Sequence, residues 1–189
     1  MAVKIIDNCC SPKYLDCLKD IAANDGNWNM WNPEFTPFED RFLKLNVVND
    51  GFMVRQPILT GLAIGLLLQI YEAAGQDLFI PEQIYRCGIS MKDKHRPDNI
   101  HVDHEEEGVV KILGIINSDW EEKWGGGFFH NGTSNYIKPT SFCIFDPLKE
   151  HATEEIFTDK KRLAIDFSVF RDQQSLERFL EKNGNKQNH

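Results

Sequence analysis

From Pro81 to Phe170 the apolar stretches are short, and each is closed by turn residues. Tyr85–Met91, Val109–Ile116, Gly125–Phe129, Ser141–Phe145 and Lys161–Phe170 are too short for core helices and rich in β-branched and aromatic residues. In the last of them Leu163, Ile165, Phe167 and Val169 alternate with Arg162, Ala164, Asp166 and Ser168, the period of a strand with two distinct faces. Asn117-Ser118-Asp119 and Asn131-Gly132 read as turns, and Lys92–Asn99 as a polar loop. Closely spaced short strands of this kind fit a β-sandwich or barrel, so the chain is expected to be mainly β with N-terminal helices.

Helical signals dominate the first 80 residues. Ser11 caps a segment with Pro12 at its first position and Leu15, Leu18 and Ile21 on one face. Asn24–Pro37 is an irregular loop. A second helix spans Pro57–Ala74 and ends at Gly75; its apolar residues run nearly all round, which predicts burial between layers. A short helix from about Asp172 and a polar tail close the chain. No linker or repeat divides the 189 residues, so one domain is expected: 1–80 as helical support and loop, 81–171 as the β core, 172–189 as C-terminal helix and tail.

Twenty-one basic against 29 acidic residues give a formal charge of −8, which argues against a phosphate-coating nucleic-acid binder. The uncharged run Gln56–Tyr71 is short for a bilayer span and holds Pro57, Gly61, Gly65 and Gln69, so no membrane association is expected. Five cysteines without CxxC spacing fit free thiols in a reducing cytoplasm.

The residues that carry chemistry begin with His101-Val102-Asp103. Residues i and i+2 of an extended strand share a face, so this imidazole and carboxylate can converge. His151, beyond the strand Ser141–Phe145 and the turn Asp146-Pro147, is the best third ligand. Two imidazoles and one carboxylate leave three metal positions open, the facial triad of non-haem Fe(II). Eleven residues later Arg162 opens the alternating strand; its planar fork suits a carboxylate and stays charged when buried. Lys160 and Lys161 are its rivals, and the following Ala164-Ile165 favours Arg162.

With Ile115-Ile116-Asn117-Ser118-Asp119-Trp120, Trp124-Gly125-Gly126-Gly127-Phe128, Pro139, Phe145 and Arg162-Leu163-Ala164-Ile165 following in order, the chain from about Tyr85 to Phe170 resembles the 2-oxoglutarate- and Fe(II)-dependent oxygenases, in particular their prolyl 4-hydroxylase-like branch. The resemblance implies a double-stranded β-helix, a cupin-like jelly roll, with iron at one mouth. It implies that His101, Asp103 and His151 ligate Fe(II) and that Arg162 pairs with the distal carboxylate of 2-oxoglutarate. Turnover would consume O2, convert 2-oxoglutarate to succinate and CO2, and hydroxylate a polypeptide or small-molecule substrate; ascorbate is an optional addition. Keeping Asp103 favours hydroxylation over halogenation.

The pattern has departures. Ile115 stands where relatives place a tyrosine that helps bind 2-oxoglutarate. Four residues earlier on the same face is Lys111, expected either to supply a second contact to the co-substrate or to be an edge-strand lysine reaching water. Asp166 and Ser168 share the Arg162 face, where relatives often carry a hydroxyl and a large aromatic, so either a roomier, more polar site or a rearranged strand end is expected. His104, Glu105-Glu106-Glu107 and His130 read as surface residues, and Trp28, Trp31, Phe35 and Phe38 as loop aromatics that plug a core or cover the site. Two other readings compete: a cupin-like metalloprotein that does not use 2-oxoglutarate, for which a buried guanidinium has no purpose, and a non-catalytic interaction module, against which the intact triad argues.

Overall fold

The computed structural model describes residues 2–24, 28–30, 43–49, 52–53, 57–75, 78–94, 99–103 and 107–184. In chain order they form β1 (Lys4–Ile6), α1 (Pro12–Ala23), β2 (Asn29–Met30), β3 (Leu43–Asn49), β4 (Phe52–Met53), α2 (Pro57–Ala74), β5 (Ile80–Lys92) and β6 (Val109–Ile115). A single 3-10 turn at Glu122–Trp124 precedes β7 (Phe128–His130), β8 (Thr133–Asn135), β9 (Phe142–Phe145), β10 (His151–Thr153), β11 (Arg162–Phe170) and α3 (Gln173–Gly184). Among the described residues all strand pairings are antiparallel. They build an eight-stranded sheet in the order β1-β9-β6-β11-β5-β3-β2, with β4 on β3, and a three-stranded sheet β10-β7-β8.

The large sheet has two buried faces, and β11 at its centre shows why. Leu163, Ile165, Phe167 and Val169 join Leu15, Leu18 and Ala22 of α1 and Leu59, Ala63, Leu66 and Ile70 of α2 in the main apolar core. Each such side chain contributes about 1.5–3 kcal/mol by leaving water. The alternate residues Arg162, Ala164 and Ser168 are also buried, but on the opposite face, toward the small sheet. There Phe128 of β7 meets Phe145 of β9 at 4.7 Å between ring centroids. One face is dry and one is polar. That division, set by the two-residue period of β11, is what positions the site.

Local signals explain most elements. The Ser11 hydroxyl accepts from the Tyr14 N–H, and Pro12 opens α1. Gly75 takes φ +82° after α2. Asn131 and Gly132, at φ +46° and +84°, turn β7 into β8. Asn117 ties β6 to β11: its amide donates to Lys161 O, and its carbonyl accepts from Leu163 N at 2.7 Å. The five cysteines are free thiols; burial pushes Cys143, at the centre of β9, up to about 12.

Three sequence expectations are corrected. The described part of the first 80 residues includes strands β1 to β4 beside the helices, and Leu45 and Val47 of β3 are buried in the main core; the alternation in Leu43–Asn49 was a strand signal. Helix α2 buries one face only. Ile58, Ile64 and Leu68 are exposed, although its 18 residues and mean hydropathy of 1.5 match a bilayer span by length and composition. An apolar circumference does not reveal which side meets the sheet. Finally, the strand expected at Gly125–Phe129 begins only at Phe128, because Gly125 and Gly126 take φ +74° and +72°. Of the Asn24–Pro37 loop, Asn29–Met30 pairs with β3, and Trp28 donates its indole N–H to Ala22 O while packing on the core. Trp31, Phe35, Phe38, His104, Glu105 and Glu106 lie outside the described residues.

Candidate metal centre

His101 and His151, fifty residues apart, face each other as a β-bridge. Each accepts the other's amide, with His101 N to His151 O at 3.0 Å and His151 N to His101 O at 2.8 Å. A pair exchanging both hydrogen bonds projects its side chains to the same side, and the two rings sit 4.5 Å apart. The Asp103 amide is anchored on Pro147 O at 2.9 Å. These backbone ties bring one ligand atom from each of His101, Asp103 and His151 within 4.8 Å of one another.

The protonation pattern follows from the partners. His101 Nδ1 lies 2.8 Å from Asn99 O, and His151 Nδ1 lies 2.8 Å from Lys149 O. A carbonyl only accepts, so each Nδ1 carries a proton, which leaves Nε2 as the atom each ring offers to a metal. Both Nε2 atoms face the Asp103 carboxylate: His101 Nε2 is 3.7 Å from Oδ1, and His151 Nε2 is 3.4 Å from Oδ2. Two imidazole nitrogens and a carboxylate turned toward one another form a donor set that suits non-haem Fe(II). Exposure grades inward, from 44% for the His101 side chain through 21% for Asp103 to 7% for His151. The cluster therefore opens to solvent on one side.

Lys111 is inside this site. Its strand β6 is central, between β9 and β11, so the edge-lysine reading is corrected. Its Nζ lies 2.6 Å from Asp103 Oδ2 and 3.9 Å from Asp166 Oδ1. Burial raises the Asp103 carboxyl, but the His151 ring and the Lys111 ammonium more than offset this and hold it well below the usual carboxylate range.

Arg162 lies deeper, 1% exposed and the first among the large fully buried side chains. Its rivals are at the surface: Lys160 pairs with Asp119 and covers the Trp124 ring, and Lys161 pairs with Asp93. The triple glycine makes room for it, because a Cβ at Gly126 would stand 2.7 Å from Arg162 Cδ. With φ +72° as well, Gly126→Ala is expected to cost about 1–3 kcal/mol. Thermal unfolding should show a Tm lower by several degrees.

Two functional candidates escaped the sequence reading. Lys92, assigned to a polar loop, is the last residue of β5, opposite Arg162 in register and 4% exposed. Its ammonium donates to Thr153 Oγ1 at 3.1 Å. Thr153 shares a face of β10 with His151, two residues away, so this cationic floor begins roughly 7 Å along the strand from a triad ligand. The period of two counted from His151 was the available signal for Thr153; nothing local marked Lys92. His130, expected at the surface, is 4% exposed beside His151 in register, its ring packed on Phe145. Burial lowers its pKa despite the contact of its Nε2 with Asp146 O.

No protein-family model and no curated protein matches the sequence. Solved structures do. A prolyl-4-hydroxylase of Pseudomonas putida superposes with a TM-score of 0.62 at 14% identity, covering 89% of this chain and 92% of that one. HygX of Streptomyces hygroscopicus, with nickel and 2-oxoglutarate bound, gives 0.64 at 10% identity over 90% and 83%. A prolyl hydroxylase of Trichoplax adhaerens, in complex with a hypoxia-inducible-factor oxygen-degradation-domain peptide, gives 0.60 at 15% identity over 92% and 84%. With its two antiparallel sheets closed over a polar interior, this chain has the double-stranded β-helix fold of the 2-oxoglutarate–Fe(II) oxygenases.

Proposed function

We propose that this protein is an Fe(II)- and 2-oxoglutarate-dependent oxygenase that hydroxylates a C–H bond of a polypeptide side chain or small molecule, a prolyl side chain being the leading candidate. The observation that carries the reading is the convergence of His101 Nε2, His151 Nε2 and the Asp103 carboxylate at an open mouth, with Arg162 buried behind them. When bound, Fe(II) with 2-oxoglutarate and O2 would supply the oxidising power, with succinate and CO2 as co-products.

The chain's own residues bind and orient. His101, Asp103 and His151 would hold iron through three positions and leave three open. Arg162, with Lys92 beside it in register, neutralises the distal carboxylate of the co-substrate. Thr153, two residues from His151 on β10, carries the Lys92 ammonium roughly 7 Å along the strand from a proposed metal ligand, so a second cation faces the same interior. Ile115, Trp120 and Ile156 form an apolar cluster that keeps water from one side of the interior. The metal and 2-oxoglutarate in HygX and the peptide in the Trichoplax enzyme support the co-substrate and the polypeptide class respectively. Free thiols support a reducing, cytoplasmic setting.

Anaerobic titration of the apoprotein with Fe(II) tests the reading. A visible charge-transfer band is expected only when Fe(II) and 2-oxoglutarate are both present. Iron binding with no such band would replace the oxygenase by a cupin-like metalloprotein.

A further inference from the structure

Lys111 lies between two carboxylates, and that arrangement bears on how the triad takes up its metal. The ammonium is 2.6 Å from Asp103 Oδ2 on one side and 3.9 Å from Asp166 Oδ1 on the other, with only 15% of its side chain exposed. Its backbone is fixed in the central strand β6, opposite Ser168 of β11, and Asp166 projects from the same face two residues along. Retreat to water is therefore blocked by the sheet, while a shift between the two carboxylates needs only side-chain rotation. The ammonium balances the Asp103 carboxylate, whose burial without a cation is costly.

A divalent cation among the same donors cannot share Asp103 with an ammonium at 2.6 Å without strong repulsion. We propose that Lys111 is a resident counter-cation of the metal centre, exchanging Asp103 for Asp166 when the metal enters, so that metal affinity is set by this exchange. The inference rests on the proposed metal-binding role of the triad. It makes Lys111 a positioning residue acting through Asp103 and makes Asp166 its alternative partner.

The test is Mn(II) binding by the full-length protein, read as free Mn(II) by electron paramagnetic resonance, for wild type, Lys111→Met, Asp166→Asn and the double variant. Lys111→Met is expected to bind Mn(II) about tenfold or more tightly, because no cation has to be displaced. Asp166→Asn is expected to bind several-fold more weakly, because the ammonium has lost its second carboxylate. In the Lys111→Met background Asp166→Asn should have little further effect, since Asp166 acts through Lys111.

Equal or weaker binding by Lys111→Met overturns the proposal, as does an Asp166→Asn effect of the same size in both backgrounds, which would make Asp166 an independent charge. Should Lys111→Met not fold, Lys111→Gln takes its place with the same expected sign. Failure of wild type and every variant to bind Mn(II) would instead refute the metal reading of the triad.

Discussion

Alanine in place of His151 is expected to eliminate specific metal binding while the fold persists. In the proposed centre His151 would supply one of three donors, and its ring is fixed by Lys149 O at Nδ1 and by the backbone bridge to His101. Loss even of an outer partner of a metal ligand typically costs about 10–100-fold in affinity, and removing the donor itself should exceed that. Because β10 is held by main-chain bonds to His101 and to β7, the truncation leaves the sheet pairing in place. Isothermal titration with Mn(II) and far-ultraviolet circular dichroism check the two halves. Near wild-type affinity with an intact fold would remove His151 from the ligand set. Asp103→Ala should behave alike, with Lys111 then deprived of its nearest carboxylate.

The second large effect is at Arg162. Arg162→Met keeps most of the buried volume and removes the guanidinium. Breaking a buried charge pair costs about 2–5 kcal/mol, which corresponds to roughly 30- to several-thousand-fold weaker 2-oxoglutarate binding. Lys92 across the strand pair retains part of the positive charge, so the loss should lie toward the lower end, and Lys92→Met with Arg162→Met should lose more. Mn(II) affinity in the absence of 2-oxoglutarate should stay within about a factor of three, because Arg162 is not among the triad atoms. Titrating 2-oxoglutarate into the Mn(II)-loaded protein measures the first quantity, and Mn(II) alone the second. Comparable losses in both would make Arg162 a structural residue.

What a linear reading reaches depends on how far apart the interacting groups stand in the chain. His101 and Asp103 are two residues apart, and the strand period alone places them on one face. The β11 alternation likewise divides the dry and polar faces before any contact is known. Ser11, Gly75 and Asn131-Gly132 announce their turns because cap and turn chemistry is local.

His130 was misplaced because its turn neighbours are exposed while its own side faces β10 and Phe145, contacts made only when β7 and β10 pair. Lys92 looked like the start of a polar loop because its partners, Arg162 and Thr153, are 70 and 61 residues away. Helix α2 carries apolar residues all round, so its sequence does not distinguish the face that meets the sheet from the one that does not.

The sequence by itself therefore determined the strand-rich core, the starts of the helices, the shared face of His101 and Asp103 and the alternation that turns Arg162 inward, since each follows from a period, a cap or a spacing within a few residues. Only the tertiary structure decided that Lys111 sits against Asp103, that Lys92 joins Arg162, and that His130 is buried beside His151. Those juxtapositions arise from sheet register between distant strands, and register is settled by burial of whole faces at once.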